Sequence, residues 1–169
     1  MDIPWIGFYH YEDERIFHRF DEYHEWYESR SDSIRLQSSD KVGIFFPRGL
    51  LIKKDIDLID SLIKGLEKRN IFPFPVFAQK KEYGGQDCPD AKAGLELLKG
   101  VDLIINCESS FLLQIPVGEE TGSTILEELD VPIIQTIYSS SRTEKEWQKS
   151  PQGIHPSSQV YWVAQPEFN

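Results

Sequence analysis

From Lys41 onward the apolar positions alternate between two kinds of run. Val42 to Phe46 is short and unbroken, as a strand covered on both faces requires. Ile56, Ile59, Leu62, Ile63 and Leu66 then recur at helical spacing behind Asp55, and Asn70 supplies a stop. Ile71 to Phe77 reads as a second strand, in which Pro73 and Pro75 remove two backbone donors from one side of the ladder. A central strand does not tolerate that loss, so the pattern predicts an edge strand. Gly84, Gly85 and Pro89 mark a loop before a short helix near Asp90 to Lys99, and Val101 to Cys107 makes a third strand. A helical stretch near Gly122 to Leu129, a fourth strand at Val131 to Ile137, a helix near Arg142 to Lys149 and a strand-like run at Gln159 to Ala164 complete the series.

Ahead of this regular region the pattern changes. Ile3 to Tyr9 is a short apolar stretch. Ile16, Phe17, Phe20, Tyr23 and Tyr27 follow at helical spacing behind Asp13, a candidate cap, so the segment reads as strand, turn and amphipathic helix. Ser29 to Asp40 is serine-rich, mixed in charge and without hydrophobic period, the composition of a solvated connection.

Alternating strands and helices predict a parallel sheet with helices on both faces, because parallel neighbours need crossover connections. The expected class is α/β: a flavodoxin-like doubly wound parallel sheet over residues 41–169, with a small amino-terminal strand-helix extension and linker over residues 1–40. In the strand order 2-1-3-4-5 the second strand lies at the edge, where the two prolines call for it.

Charge supports the same boundary. Residues 1–40 hold ten acids against four arginines, and the rest holds eighteen acids against fourteen bases, within a formal total of −10. Such an acidic chain repels nucleic-acid phosphates and anionic lipid headgroups, so neither nucleic acid nor membrane is an expected partner. No apolar run approaches the ~18 residues that span a bilayer. The first residues lack a basic stretch followed by an apolar one, and Cys88 and Cys107 are the only cysteines. The expected setting is therefore the cytoplasm, with free structural thiols.

The sequence holds no G-x-x-x-x-G-K-[ST] loop, no G-x-G-x-x-G turn, no H-E-x-x-H and no G-x-S-x-G, which leaves no support for ATP hydrolysis or nucleophilic catalysis by this chain. His18 and His24, six residues apart, fall about 240° around a helix and cannot share one ion. The remaining guide is position, since open α/β sheets bind ligands beyond the carboxyl ends of their strands. Those ends carry Arg48 after the first strand of the regular region, Glu108 with two serines after the third, and Ser139, Ser140, Ser141 and Arg142 after the fourth. Arginine, hydroxyls and helix amino termini favour anionic groups. The candidate substrate-binding residues are thus Arg48, Glu108, Ser139, Ser140 and Arg142, against the alternative that Arg48 is a solvated loop charge and the serines cap a helix.

Several of these stretches carry a family resemblance. VGIFFPR (42–48), FPFPVFA (72–78), VDLIINC (101–107), LEELDVPIIQTIYSSSRTEKEWQKSPQGIHP (126–156) and VAQPEF (163–168) resemble the amino-terminal part of the cobaltochelatase large subunit of the CobN type, a pattern shared with the magnesium chelatase H subunit. The most specific part is Leu129 to Gln135 leading through serines to Trp147, Ser150, Pro151, Gly153 and then Pro166-Glu167. Where such proteins often place serine and histidine after the arginine, Gly49 and Leu50 follow Arg48 here.

The resemblance implies that the parent subunit binds a tetrapyrrole, either a corrin precursor or a porphyrin, and inserts cobalt or magnesium with ATP used by separate AAA+ ATPase subunits. Members of the family are much longer, so it also implies either a piece of a longer subunit, with the remainder of that subunit as a partner, or an unusually short relative, the first being favoured. Insertion needs a base and metal ligands converging on the ring centre. No such cluster stands out here, so the expected role is substrate enclosure or subunit contact, with no activity and no cofactor of its own. Two other readings stay open: a stand-alone flavodoxin-like domain for a small ligand, and an interaction module that docks through Trp5, Phe8, Tyr9, Tyr23, Trp26 and Tyr27.

Overall fold

The computed structural model describes residues 3–30, 40–79, 91–108, 129–136 and 143–151. Its elements are β1 (Ile6–His10), a short 3-10 turn (Glu12–Glu14), β2 (Arg15–Phe17), α1 (Phe20–Glu28), β3 (Lys41–Pro47), α2 (Arg48–Lys53), α3 (Asp57–Glu67), β4 (Phe72–Ala78), α4 (Ala91–Glu96), β5 (Leu103–Asn106), β6 (Ile133–Gln135) and α5 (Glu144–Lys149). Six strands form one sheet in the order β2-β1-β4-β3-β5-β6. The four from β4 to β6 are parallel, while β1 runs antiparallel to both β4 and β2. The parallel part thus reproduces the first four positions of the expected 2-1-3-4-5 order, and the α/β class holds. The strand-like run at Gln159–Ala164 and the helical stretch from Gly122 lie outside the described residues, apart from Leu129.

Two expectations are corrected. The proline-bearing strand β4 is not at an edge, since β1 pairs with its carboxyl half through Ile6–Ala78, Gly7–Phe77 and Phe8–Val76. The prolines are accommodated all the same. The Phe72 amide donates toward β3, to the Asp40 carbonyl at 2.8 Å, so by alternation the missing donors of Pro73 and Pro75 face the β1 side. There the paired part of β1 does not reach. The exposed acceptor on that side is met by a side chain instead: the buried Tyr23 hydroxyl, from α1, donates to the Pro73 carbonyl at 3.0 Å.

The second correction concerns the helix expected to begin behind Asp13. Ile16 and Phe17 belong to β2 and pair with Tyr9 and Phe8, and Asp13 and Glu14 turn the hairpin with φ of 58° and 48°. The helix begins only at Phe20. The helical spacing is a coincidence of a hairpin strand followed by a helix: Phe17 shares a core with Tyr23 and Tyr27, while Ile16 packs on the other face of the sheet.

Alternation along the strands splits that core between the two faces of the sheet. Phe8, Phe45, Phe74 and Val76 meet Tyr23 and Tyr27 of α1 and Leu95 of α4 on one face. Tyr9, Ile44, Phe46 and Phe77 meet Leu50 of α2 and Ile59 and Ile63 of α3 on the other. The amino-terminal helix therefore does the work of a crossover helix on its face. Gly94 permits close contact there, because a Cβ at this position would stand 2.8 Å from the Ala78 side chain and 3.0 Å from the Phe45 ring. On the other face α3 stops where expected, with Asn70 in the left-handed region at φ 59°.

Candidate functional site

Two polar constellations interrupt this apolar interior, at opposite ends of the sheet. The first lies past the carboxyl ends of β5 and β6. Asn106, the last residue of β5, is fully buried in a strand otherwise made of leucine and isoleucine. Its amide nitrogen donates to Gln135 Oε1, and its Oδ1 accepts from the Glu108 backbone amide at 3.0 Å. Gln135 Nε2 in turn donates to the Glu108 carbonyl at 3.1 Å and the Thr136 carbonyl at 3.0 Å, and the Thr136 hydroxyl donates to the Asn106 carbonyl at 2.9 Å. The two amide side chains thereby fix the paths of both departing chains. Glu108 is 7 % exposed, a carboxylate drawn into the body of the protein by this frame. Beside it the Cys107 thiol is buried, and burial pushes it above its ordinary range against a smaller opposing effect of Thr136. It is no nucleophile in this state.

Arg48 opens α2 directly after β3, at the same end of the sheet. Its guanidinium leans away from β5: Nε donates to the Pro4 carbonyl at 2.9 Å, Nη2 donates to the Ile3 carbonyl at 2.7 Å, and the group lies 4.5 Å above the centre of the Trp5 ring. The Trp5 carbonyl accepts from the Gln79 amide at 2.9 Å, which lays residues 3–5 across the carboxyl end of β4. Arg48 and Glu108 thus occupy the expected edge on opposite sides of β3. Ser139, Ser140 and Arg142 lie outside the described residues. The sequence reading missed Trp5, Asn106, Gln135 and Thr136 as members of this edge. Asn106 and Gln135 did leave a trace, as single polar residues closing apolar strands.

The second constellation sits where α3 ends, at the amino-terminal end of the parallel strands. Glu67 Oε1 takes hydrogen bonds from Arg30 Nη1 at 2.6 Å and the Tyr27 hydroxyl at 2.9 Å, and Oε2 takes one from the Tyr11 hydroxyl at 2.8 Å. The fully buried His10 accepts from the Glu12 amide on Nδ1, which leaves its ring proton on Nε2 to donate to Glu67 at 3.2 Å. Burial opposes ionisation of Glu67, but the bonds from His10, Arg30, Tyr11 and Tyr27 outweigh it and bring the carboxyl down to about 2. Burial, then the bond to Glu67, raises Tyr11 to about 12. Glu67 is thereby held ionised and Tyr11 protonated near neutrality, which suits a structural clasp better than proton transfer. The cluster joins α1, on one face of the sheet, to α3, on the other. Among the described residues no three His, Cys, Asp or Glu side chains are grouped so as to hold a metal ion, and no helix is long and apolar enough to cross a membrane.

The described residues thus form an open α/β sheet with polar groups beyond the carboxyl ends of its strands, the edge at which ligands of such folds lie. The family model described as CobN/magnesium chelatase matches residues 1–169, and the chain belongs to that family. An uncharacterised protein of Methanocaldococcus jannaschii is 32% identical over 90% of this chain, and the match takes up 13% of that protein. The aerobic cobaltochelatase subunit CobN of Sinorhizobium is 29% identical over 76% of this chain and 10% of its own length. The chloroplastic magnesium-chelatase subunit ChlH of Oryza sativa subsp. indica is 25% identical over 88% and 11%. The fold is also that of part of the catalytic subunit of cobaltochelatase from Mycobacterium tuberculosis, with a TM-score of 0.53 at 18% identity over 78% of this chain and 11% of that one. The chain thus spans about an eighth of the length of the curated relatives it matches.

Proposed function

We propose that this chain acts within a tetrapyrrole metal chelatase as a non-catalytic part of the large subunit, lining the substrate or contacting the remainder of the subunit. The observation that carries this reading is the family match over all of residues 1–169. The carboxyl edge of the sheet is consistent with it: Asn106, Gln135 and Thr136 brace the chains leaving β5 and β6, and Arg48 with one buried carboxylate is not a set that would bind the metal on its way into the ring. Cobalt insertion in cobalamin biosynthesis is the favoured reaction on the resemblance to the CobN-type subunit, which is 29% identical over 76% of this chain, beside 25% over 88% for the rice magnesium-chelatase subunit. On this reading the parent is a ligase forming nitrogen–metal bonds in the cytoplasm, its ATP consumed by AAA+ partner subunits. Arg48, Glu108, Ser139, Ser140 and Arg142 remain the proposed contacts to the carboxylates and polar rim of the ring.

Titration of the folded chain with a corrin precursor and, separately, with a porphyrin tests this reading through the macrocycle absorption band. Saturable binding is expected, with the corrin held more tightly than the porphyrin. Binding of the porphyrin alone would move the assignment to magnesium, and binding of neither would overturn substrate enclosure.

A further inference from the structure

Trp5 is 36 % exposed, yet it is not a loosely held surface ring. Its backbone carbonyl is bonded to Gln79, the carbonyls of both residues before it are bonded to Arg48, and one face of the indole is covered by that same guanidinium at 4.5 Å. Among the described residues no other aromatic ring pairs with Trp5. Arg48 spends Nε and Nη2 on the two carbonyls, and its Nη1 donates to none of the described residues. An isolated exposed tryptophan is unremarkable on a protein surface. This one is pre-oriented, on a positive charge, at the end of the sheet where ligands of such folds lie.

We infer that Trp5 and Arg48 form one contact for a flat conjugated ring that carries carboxylates on flexible arms. The ring lies against the indole, where stacking is favourable and indifferent to the detailed pattern of substituents. The carboxylate is met by Nη1 of Arg48, the nitrogen that none of the described residues engages. Because the guanidinium already lies against the indole, a carboxyl fixed directly to the stacked ring cannot reach it, whereas one on an alkyl arm can pass round the indole edge. Arginine suits this place better than lysine, because a planar guanidinium can stack and donate at once. The local charge matters in a chain of net −10, which gives an anionic ligand no long-range attraction. This inference rests on the tetrapyrrole reading and names a substrate contact within it.

The test uses the whole chain and two porphyrins, one with propionate arms and one neutral and water-soluble, followed by shift of the macrocycle absorption band. Trp5→Ala is expected to weaken both about tenfold, as loss of one stacking partner does. Trp5→Phe should recover most of that loss. Arg48→Lys should weaken the propionate porphyrin about fivefold and leave the neutral one unchanged. Thermal melts of each variant separate loss of contact from loss of fold, and the two conservative changes keep the test decisive if Trp5→Ala fails to fold. If the chain binds the propionate porphyrin and the variants bind it equally well, the inference is overturned while substrate enclosure stands. If the unaltered chain binds neither porphyrin nor a corrin precursor, enclosure fails and this contact with it.

Discussion

Glu67 is the residue on which the amino-terminal segment most depends, because it alone receives the side chains of His10, Tyr11, Tyr27 and Arg30. Glu67→Gln would remove one of two carboxylates bonded to the Arg30 guanidinium, 8 % exposed, and leave Glu12 still beside it at 2.5 Å. Losing a hydrogen bond to a charged group costs on the order of 2 kcal/mol, so urea melts at neutral pH should show a clear loss. The sign of the pH dependence follows from a carboxyl lowered by folding from its ordinary 4.5 to about 2. Its contribution is complete above about 4.5 and disappears as pH falls toward 2. The gap between the two proteins should therefore close over that interval, and a gap that stays constant would locate the effect elsewhere. Little of this was legible in the sequence. No local pattern marks His10, and nothing in Glu67 distinguishes it from other helical acids, because its partners lie 37 to 57 positions away. Arg48 and Glu108 were legible only as positions after strands. Where Arg48 points depends on residues 3–5, whose place across β4 no local pattern encodes.

Elements were easier to read, because burial on both faces leaves unbroken apolar runs and helix faces repeat at their own period. β3, α3, β4 and β5 fall within a residue or two of the expected spans. The failures have a common cause: partners chosen from afar. β4 was assigned to an edge because two prolines spoil one side of it, and the sheet instead ends β1 short and meets the bare carbonyl with a hydroxyl from α1. Tyr23→Phe isolates that device. It keeps the ring that stacks on Phe8 at 5.4 Å and removes only the donor to Pro73. Leaving a buried carbonyl unpaired costs about 1–3 kcal/mol, a loss that equilibrium denaturation should register with an unchanged m-value. Equal stability would mean that another group replaces the hydroxyl.

At the scale of the whole molecule, the alternation of strands and helices was enough to give the α/β class and the order of the parallel strands. It could not tell that the first thirty residues complete the sheet rather than sit beside it. β1 and β2 extend the sheet past β4, and α1 covers Phe72 and Phe74 on one face. A chain beginning at Asp40 would present an unpaired β4 edge and bare aromatic rings, both liabilities for association. The expectation is a broad, non-cooperative melt and concentration-dependent light scattering, in place of the single transition of the whole chain. A sharp melt from a monomer would show the amino-terminal layer to be dispensable.

The antiparallel seam between β1 and β4 also sets a timetable. Some sixty residues separate His10 from Phe72, and at a ribosomal pace of roughly 5–20 residues per second the first strand waits several seconds for its neighbour. During that interval the β1–β2 hairpin and α1 can meet through Phe8, Phe17 and Tyr23, but Phe72 and Phe74 of β4, which pack on Tyr27 and Phe20, are still missing. The segment ahead of β3 is therefore the part of this chain most in need of a chaperone's shelter, and slowing translation between residues 30 and 72 should lengthen that need.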